Sequence, residues 1–454
     1  MTEPVTPEPL LLSTRAPRLS VWTLAWPSMA LFALQSLVGI VDFLFVSSLG
    51  TQAIAGVGVA WQIQFLTFGL LEAVTTGTVA LIAREIGSGR PFEAARVLRT
   101  AVALATLFGA LLLLAIPASE TIVSWMGVAP GVVSLGGHCL RILLGFGIPV
   151  SVGATLAMGL RGAGDVRTPL AIGVVTNLVN VVACWVLIFG RLGAPALGAE
   201  GSVWASGIAF VTGALLFLWL WQRGDLVLPM TPWRGNVTTA LARRLLRVGI
   251  PTALERGTFQ VGLLLFLRIV AAFGTEPISA YLIGCRILAF CFVPGFGFAN
   301  AAATLVGQNL GAGRPDEAAR SGWRATAGAV GVMSSLGLTI ILLARPLAGS
   351  FGAVGEETVR LTVIFIYILG AAQPLMAIEF TLGGALRGAG DTRFPLFALL
   401  AGLLVFRLGA AEFLAKPLFG SVAAVWSCLL ADYAVKAALL SWRFRSGRWQ
   451  AVKV

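Results

Sequence analysis

The chain has 454 residues, of which 57% are hydrophobic and 11% are charged, and its formal net charge is +12. A soluble domain carries about 25% charged residues, so this composition excludes an ordinary soluble enzyme and indicates an integral membrane protein. The basic excess needs no nucleic acid to explain it, because basic loops orient membrane helices and attract anionic lipid.

Apolar stretches long enough to cross a bilayer recur along the whole chain. A helix needs about 20 apolar residues for this, and we predict an all-α membrane protein with twelve spans. They cover residues 22–47, 55–82, 97–117, 133–160, 169–190, 199–222, 247–273, 278–306, 322–344, 358–386, 394–414 and 421–442. Six spans form an N-lobe (1–222) and six form a C-lobe (247–454). The polar residues 223–246 are predicted to be a cytoplasmic linker.

The two halves repeat their sequence landmarks. The matching elements are Pro27 with Pro251, Gly89-Arg90-Pro91 with Gly313-Arg314-Pro315, and Arg161-Gly162-Ala163-Gly164-Asp165 with Arg387-Gly388-Ala389-Gly390-Asp391. The offsets are 224, 224 and 226 residues. Six spans in each half make the repeats parallel, and two such membrane bundles are the frame of a secondary transporter.

The distribution of basic residues predicts the orientation. Most of the 32 lysines and arginines lie on the side of the two termini, whereas the opposite side holds Arg191, Arg345, Arg360 and Lys416. Basic loops stay in the cytoplasm, so both termini are expected inside, in the bacterial inner membrane. Residues 1–20 contain four prolines and lack a short apolar core, so we expect no signal peptide.

Several kinds of site are missing from the sequence. A P-loop needs a Gly-Lys pair, but Lys416, Lys436 and Lys453 follow alanine or valine. The five cysteines lie in apolar spans without a CxxC pattern, so we expect no disulfide framework and no metal site. For the single histidine, His138, we expect a packing or interfacial role, with a proton relay as the alternative. We therefore expect a protein that is not an enzyme, has no cofactor and is driven by an ion gradient.

An ordered set of short motifs resembles a known transporter family. The set comprises Pro27, Val41-Asp42, Phe45-Val46, Leu49-Gly50, Gly87-Ser88-Gly89, the Arg161–Asp165 loop, Asn177, Asn180, Ile188-Phe189-Gly190, Gly198 and Gly201, with the matching landmarks of the second half. It resembles the multidrug and toxic compound extrusion (MATE) transporters, and Val41-Asp42 resembles their bacterial DinF-like branch. The resemblance implies a V of two six-helix lobes that exports organic cations by alternating access, driven by protons or sodium. We expect it to work as a monomer.

Asp42 is the candidate coupling residue. A charge deep in a span is costly and normally faces a cavity or a partner. The equivalent position of the second half is Phe266, so the repeat does not require an acid here. Such a carboxyl group can take up and release a proton near neutral pH as its surroundings change. The resemblance makes Asp42 the N-lobe coupling acid, and the alternative is a structural, hydrogen-bonded acid.

Span 5 bears on the identity of the coupling ion. Asn177 and Asn180 are three residues apart and share a helix face, and we place both in the proton-coupling site. The family pattern has an aspartate four residues later, where this chain has Cys184. A neutral thiol is a poor sodium ligand, so proton coupling is favoured over sodium. The alternative is that another acid, such as Glu72, has replaced that aspartate.

The C-lobe has its own acids within spans. Glu255 corresponds to Leu31 and Glu379 to Gly153, so neither follows the repeat. With Glu72, we assign them to a cavity for the substrate cation. The alternative is ion pairing with the arginines inside spans, which are Arg256, Arg268, Arg286 and Arg407. Asp432 and Lys436 are expected to pair with each other, because they lie one helical turn apart.

Other interpretations remain open for the loops and for the function. The two Arg-Gly-Ala-Gly-Asp loops are expected to end one helix and cap the next, and a cytoplasmic gate latch is the alternative. The same arginines inside spans keep open a flippase of lipid-linked oligosaccharide, which needs a cationic cavity. That function is favoured if they line the central cleft unpaired. A membrane-embedded enzyme would need a convergent catalytic set, which the sequence lacks.

Overall fold

The computed structural model describes residues 20–229, 237–350 and 355–452, and all regular secondary structure within them is helical. In chain order the helices are α1 (Val21–Ser47), α2 (Thr51–Gly87), α3 (Pro91–Leu113), α4 (Ser119–Ser124), α5 (Pro130–Gly145), α6 (Gly147–Ala163), α7 (Arg167–Phe189), α8 (Ala199–Arg223), α9 (Thr239–Ala271), α10 (Thr275–Gly311), α11 (Pro315–Leu342), α12 (Ala344–Gly349), α13 (Glu356–Gly388), α14 (Arg393–Leu400), α15 (Lys416–Phe419) and α16 (Val422–Arg445).

The helices confirm the predicted all-α membrane architecture of two repeats. Ten single segments of the described chain are long and apolar enough to cross a membrane, and the bent pair α5–α6 adds an eleventh. The twelfth segment is α9, which has 33 residues but carries Glu255, Arg256 and Arg268 in its apolar part. The repeat is visible in the helices themselves, because α2 and α10 both have 37 residues and start 224 positions apart.

The fourth predicted span is broken rather than continuous. Helices α5 and α6 meet at a 54° bend around Phe146. Pro149 explains the break, because its ring clashes with the carbonyl group four residues earlier and it has no N–H to donate there. Gly145 and Gly147 flank the bend and leave the backbone free to turn.

The seventh span begins earlier than predicted. We expected residues up to 246 to belong to the linker, but α9 starts at Thr239, whose predecessor Thr238 accepts a hydrogen bond from the Leu241 amide (3.3 Å). Three arginines near the start of α9 lower the hydropathy of this stretch, so the hydropathy pattern predicted a polar linker there. Residues 230–236 of the linker lie outside the described residues, and the division into two domains stays a prediction.

The eleventh span is not a regular α-helix. After α14 the chain is π-helical over Ala401–Gly409 and Ala411–Ala415, and α15 completes the span. π-helical segments are uncommon and frequently occur at functional sites. Arg407 lies in the first of them and is buried.

Four glycines form the seam between the lobes. They are Gly77 and Gly87 of α2, Gly249 of α9 and Gly311 of α10, and we call them the interlobe seam. A Cβ at any of them would overlap a backbone carbonyl of the other lobe. Gly87 lies against Gln308 and Gly311 against Arg84, so the repeat-related helices α2 and α10 meet through equivalent glycines. The seam lies where α2 and α10 end and α9 begins.

Hydrogen bonds from side chains to backbone carbonyls reinforce this end of the lobe contact. Thr304 Oγ1 donates to the Arg161 carbonyl (2.9 Å), and Gln308 Nε2 donates to the Gly162 carbonyl (3.1 Å). Arg84 Nη2 donates to the Ala389 carbonyl in the opposite direction (3.1 Å). Both Arg-Gly-Ala-Gly-Asp loops thus accept hydrogen bonds from the opposite lobe.

The two loops use their aspartates differently. Asp165 Oδ1 accepts from the backbone amides of Arg167 and Thr168 (3.1 and 3.0 Å), which is the predicted cap on α7. Asp391 instead accepts from Arg443 Nε of α16 (2.8 Å). The expectation of capping is therefore wrong for the second loop, because a neighbouring arginine takes its carboxylate.

Candidate functional site

The structure brings Asp42 and Asn180 together inside the N-lobe. Asp42 is half-buried on α1, and Asn180 of α7 is buried. With its amide oriented to satisfy both neighbours, Asn180 Nδ2 donates to Asp42 Oδ1 and Oδ2 (3.1 and 3.0 Å), and Asn180 Oδ1 accepts from Ser206 Oγ (3.2 Å). Within the described residues Asp42 pairs with no lysine, arginine or histidine. A half-buried acid without a basic partner fits an exchangeable proton.

Two other residues of α7 have different environments. Asn177 donates from Nδ2 to the Gly173 carbonyl of its own helix (2.7 Å), and no contact joins it to Asp42 in the described structure. The Cys184 thiol lies beside Asp42 and within 3.9 Å of the Ser202 carbonyl. The position predicted to decide between proton and sodium therefore adjoins the candidate coupling acid. Asn177 remains a predicted member of the site without a contact to support it.

Sequence reasoning missed Ser206, which completes the N-lobe group. Ser206 is buried on α8, and its Oγ lies 3.2 Å from the side-chain amide of Asn180. When that amide is turned so that Asn180 Nδ2 donates to Ser206 Oγ, the Ser206 hydroxyl donates to the Ser202 carbonyl (3.1 Å). The sequence contained a signal, because Ser202 and Ser206 are two small polar residues one turn apart in an apolar span.

Glu72 links the lobes rather than standing alone. Its Oε1 accepts from Arg256 Nε of α9 (3.0 Å), and both side chains are partly exposed. Arg256 also lies over the Phe296 ring, 5.6 Å from its centroid. Phe296 contacts Phe32 of the N-lobe and Phe380 of the C-lobe, with ring centroids 5.5 and 5.1 Å apart. Glu72 thus borders an aromatic contact zone between the lobes.

Glu255 has a partner that the sequence did not indicate. Arg387 Nη2 donates to Glu255 Oε1 (2.9 Å), and the side chains are 24% and 16% exposed respectively. Arg387 belongs to the second Arg-Gly-Ala-Gly-Asp loop, and its side chain extends from the end of α13 to Glu255 of α9. The ion pair of Glu255 therefore involves none of the arginines considered from the sequence, which are Arg256, Arg268, Arg286 and Arg407.

Glu379 belongs to a cluster of four charged side chains, which we call the C-lobe charge cluster. It comprises Glu379 of α13, Arg407 of the π-helical segment, and Asp432 and Lys436 of α16. Lys436 Nζ contacts Glu379 Oε1 (2.8 Å) and Asp432 Oδ2 (3.3 Å), and Arg407 Nη2 pairs with Asp432 Oδ2. The predicted Asp432–Lys436 pair is confirmed, and Glu379 and Arg407 extend it.

Two of the four arginines inside spans are paired with acids in the described structure. Arg256 and Arg407 are paired with Glu72 and Asp432, and Arg286 lies over the Phe43 ring of the other lobe, 5.9 Å from its centroid. None of the described partners of Glu255 or Glu379 is one of the four arginines that we expected. The condition that would favour a flippase is therefore not met for Arg256 or Arg407.

His138 lies at an exposed end of the N-lobe between two acids. Its Nδ1 is 3.1 Å from Glu200 Oε1 and its Nε2 is 3.7 Å from Glu120 Oε1. The interfacial role of His138, with a proton relay as the alternative, stays a prediction. In the described part of the chain no group of three or more histidine, cysteine or acidic residues is arranged to hold a metal ion.

Two repeated lobes of membrane helices with ionisable side chains buried in each define the class of secondary membrane transporters. The comparison with family models narrows this class. The model described as MatE matches residues 27–186 and again residues 251–411, once in each half of the chain. The chain belongs to this family of multidrug and toxic compound extrusion (MATE) transporters. Its assignment to the DinF-like branch stays a prediction.

Known relatives cover nearly the full chain. A probable multidrug resistance protein NorM from Thermotoga maritima is 29% identical over 94% of this chain and 92% of its own length. The multidrug resistance protein NorM of Burkholderia vietnamiensis is 25% identical over 90% of each. A solved MOP superfamily transporter from Pyrococcus furiosus superposes with a TM-score of 0.88 at 21% identity, covering 94% of both chains. An outward-facing multidrug resistance MATE family transporter gives 0.87 at 20% identity, covering 94% and 96%.

Proposed function

We propose that this protein exports organic cationic or amphipathic drugs across the bacterial inner membrane in exchange for protons, with both termini in the cytoplasm. Membership of the MATE family and two relatives named as multidrug resistance proteins support drug transport. One observation supports the proton as coupling ion. The carboxylate of Asp42 meets an amide, Asn180, and a thiol, Cys184, where a sodium site would need several oxygen ligands.

The group around Asp42 can satisfy its hydrogen bonds in both protonation states. When Asp42 is ionised, Asn180 Nδ2 faces it and Ser206 Oγ donates to Asn180 Oδ1. When Asp42 is protonated, its hydroxyl can donate to Asn180 Oδ1 after the amide turns over. Asn180 Nδ2 then donates to Ser206 Oγ, which donates to the Ser202 carbonyl. Each state fixes a different pairing between α1 and α7, so protonation can favour one access state over the other.

Glu255, Glu379 and Glu72 serve the substrate side of this proposal. Each lies at a partly exposed position, and Glu72 adjoins the aromatic rings between the lobes. A carboxylate near aromatic rings suits a lipophilic cation. The protein is proposed to work as a monomer without a bound cofactor, and protons supply the driving force.

The test is drug accumulation in cells that express the chain or its Asp42→Asn variant. Asparagine keeps the shape of aspartate but cannot ionise, so we expect the variant to insert normally and to export no better than cells without the protein. Asp225→Asn makes the same chemical change in an exposed loop and is the control, expected to export normally. A protonophore should abolish export by the unaltered chain, whereas replacing sodium by potassium at constant pH should not.

Two results would contradict the proposal. Export by Asp42→Asn at the level of the unaltered chain, with matched amounts of protein, removes Asp42 from the coupling site. Export that stops when sodium is replaced, while the proton gradient is intact, assigns the coupling to sodium.

A further inference from the structure

The C-lobe charge cluster does not take part in the proposed proton exchange, and its four members differ in accessibility. The side chains of Asp432, Arg407 and Lys436 are 0%, 1% and 2% exposed, whereas that of Glu379 is 21% exposed. Arg407 and Asp432 balance each other at the buried side of the cluster. Glu379 forms its accessible side, and Lys436 lies between the two acids.

Lys436 is held in surroundings that would suit an organic cation. Its ammonium group is 2.8 Å from the Glu379 carboxylate and 4.4 Å from the centre of the Tyr433 ring. The face of an aromatic ring attracts organic cations, and a nearby carboxylate adds the attraction of an opposite charge. The second carboxylate oxygen, Glu379 Oε2, is buried and has no hydrogen-bond partner in the described structure. The carboxylate of Glu379 is therefore incompletely satisfied by the described residues, and Lys436 is the cation that holds it.

The geometry also provides a second position for the displaced lysine. Lys436 is already 3.3 Å from Asp432, one turn away on the same helix. A short movement of its ammonium group away from Glu379 leaves it paired with Asp432, so the buried charge is never without a partner. Glu379 has no such alternative, because Lys436 is the one basic residue that pairs with it in the part of the chain described.

We propose that Glu379 and the Tyr433 ring form a binding site for lipophilic organic monocations, and that Lys436 occupies it when no substrate is bound. The inference rests on the proposed export of organic cations and specifies where the cation binds and what it displaces. A cation entering from the accessible side takes the place of the Lys436 ammonium at Glu379 and at the ring. Lys436 then pairs with Asp432 alone.

This internal competition has a physical advantage for a transporter. An unpaired carboxylate inside a membrane protein is costly, so an empty site without Lys436 would destabilise the protein or bind its first cation too tightly to release it. A tethered ammonium keeps the empty site neutral and returns to Glu379 when the substrate leaves. It also discriminates against neutral compounds, which cannot displace it.

The test measures binding to the purified full chain in detergent, where no ion gradient exists, so it is independent of the coupling ion. The probe is tetraphenylphosphonium, which carries a permanent charge, and triphenylphosphine oxide serves as a neutral comparison. Lys436→Gln removes the competitor, and we expect the Kd for tetraphenylphosphonium to fall about tenfold, the value of one charge-assisted hydrogen bond. Binding of triphenylphosphine oxide should not change.

A matched control exists elsewhere in the chain. Lys416 also pairs with a glutamate, Glu412, at 3.0 Å, but both side chains are more than one-third exposed. Lys416→Gln should leave both affinities unchanged. Glu379→Gln should raise the Kd for tetraphenylphosphonium at least about tenfold. The double variant Glu379→Gln/Lys436→Gln should bind as weakly as Glu379→Gln alone, because Lys436 acts through that carboxylate.

The proposal is overturned if a folded Lys436→Gln variant binds tetraphenylphosphonium no better than the unaltered chain. It is also overturned if the double variant keeps the gain. Should Lys436→Gln fail to fold, Tyr433→Leu and Tyr433→Phe decide the question. The leucine variant should lose about tenfold in affinity for the cation, and the phenylalanine variant should keep it. Equal affinity in these two variants contradicts the proposal.

Discussion

The interlobe seam predicts that an added methyl group at Gly87 will weaken the packing between the lobes. A Cβ added at Gly87 would overlap the Gln308 carbonyl oxygen and lie 2.7 and 2.8 Å from the carbonyl carbon and Cα of Gln308. Ordinary carbon–carbon contacts are about 3.5–4.0 Å, so α2 and α10 would have to separate by about 1 Å. A backbone group cannot rotate away as a side chain can. Gly87→Ala should therefore oppose the packed state.

The expected shift in the equilibrium between packed and separated lobes follows from the free-energy cost of overpacking. Extra methyl groups in a tight contact cost about 1–3 kcal/mol, which corresponds to about a 5- to 150-fold shift in an equilibrium between two states. Thr304 reports on that equilibrium because it is buried in the same contact, where it donates to the Arg161 carbonyl. In a Thr304→Cys background, Gly87→Ala should raise the rate of maleimide labelling at position 304 by that factor, because labelling requires the lobes to separate.

Gly331→Ala is the control for Gly87→Ala. A Cβ at Gly331, on α11, would have no neighbour within 4 Å, so Gly331→Ala should leave the labelling rate unchanged. The parent chain without Thr304→Cys gives the background from the five native cysteines. If Gly87→Ala in the Thr304→Cys chain labels no faster than Thr304→Cys alone, or if Gly331→Ala produces an equal rise, the lobes are not held together through the seam.

Three further predictions address the acids. Cys184→Asp should make efflux sensitive to sodium, measured by replacing sodium with potassium at constant pH; unchanged efflux would contradict it. Glu255→Gln should change which cations are exported but leave proton-coupled transport of some substrate, measured with a panel of cationic and neutral compounds; loss of every compound would contradict it. Glu72→Gln breaks a partly exposed pair worth about 0.2–1 kcal/mol, so it should raise labelling in the maleimide assay by no more than about fivefold. The exchange Glu72→Arg/Arg256→Glu should reverse that rise.

Sequence patterns predicted the architecture because the membrane leaves few alternatives. A helix satisfies its own backbone groups, so every long apolar stretch had to be helical. The repeat then fixed the arrangement in two lobes, and α2 and α10 indeed have equal lengths. The bend at Phe146 and the early start of α9 were missed for different reasons. Pro149 was read as one residue of an apolar span, and the start of α9 was too basic to be recognised as part of a span.

The sequence placed Asp42 and Asn180 in one site and did not indicate how the other acids pair, and the roles of all these residues stay predictions. Asp42 and Asn180 were predicted from the motif and lie together. The partners Arg387 and Lys436 were not predicted for Glu255 and Glu379, because pairing across helices depends on rotation and tilt that one sequence does not reveal. Helix periodicity indicates which residues share a face, but it does not indicate which neighbouring helix that face meets.

The two lobes differ in how they treat their buried acids, and this difference supports a division of labour. Every C-lobe acid assigned to the substrate side has a basic partner, whereas Asp42 has an amide and a thiol. A carboxylate paired with a basic side chain can exchange that cation for another one without leaving a buried charge unpaired. A carboxylate bonded to an amide can instead exchange a proton, because the amide donates to the ionised form and accepts from the protonated form. On the proposed function, we therefore infer that the common helical frame carries proton exchange in one lobe and cation exchange in the other. Coupling between them requires only that both exchanges depend on whether the seam between the lobes is closed.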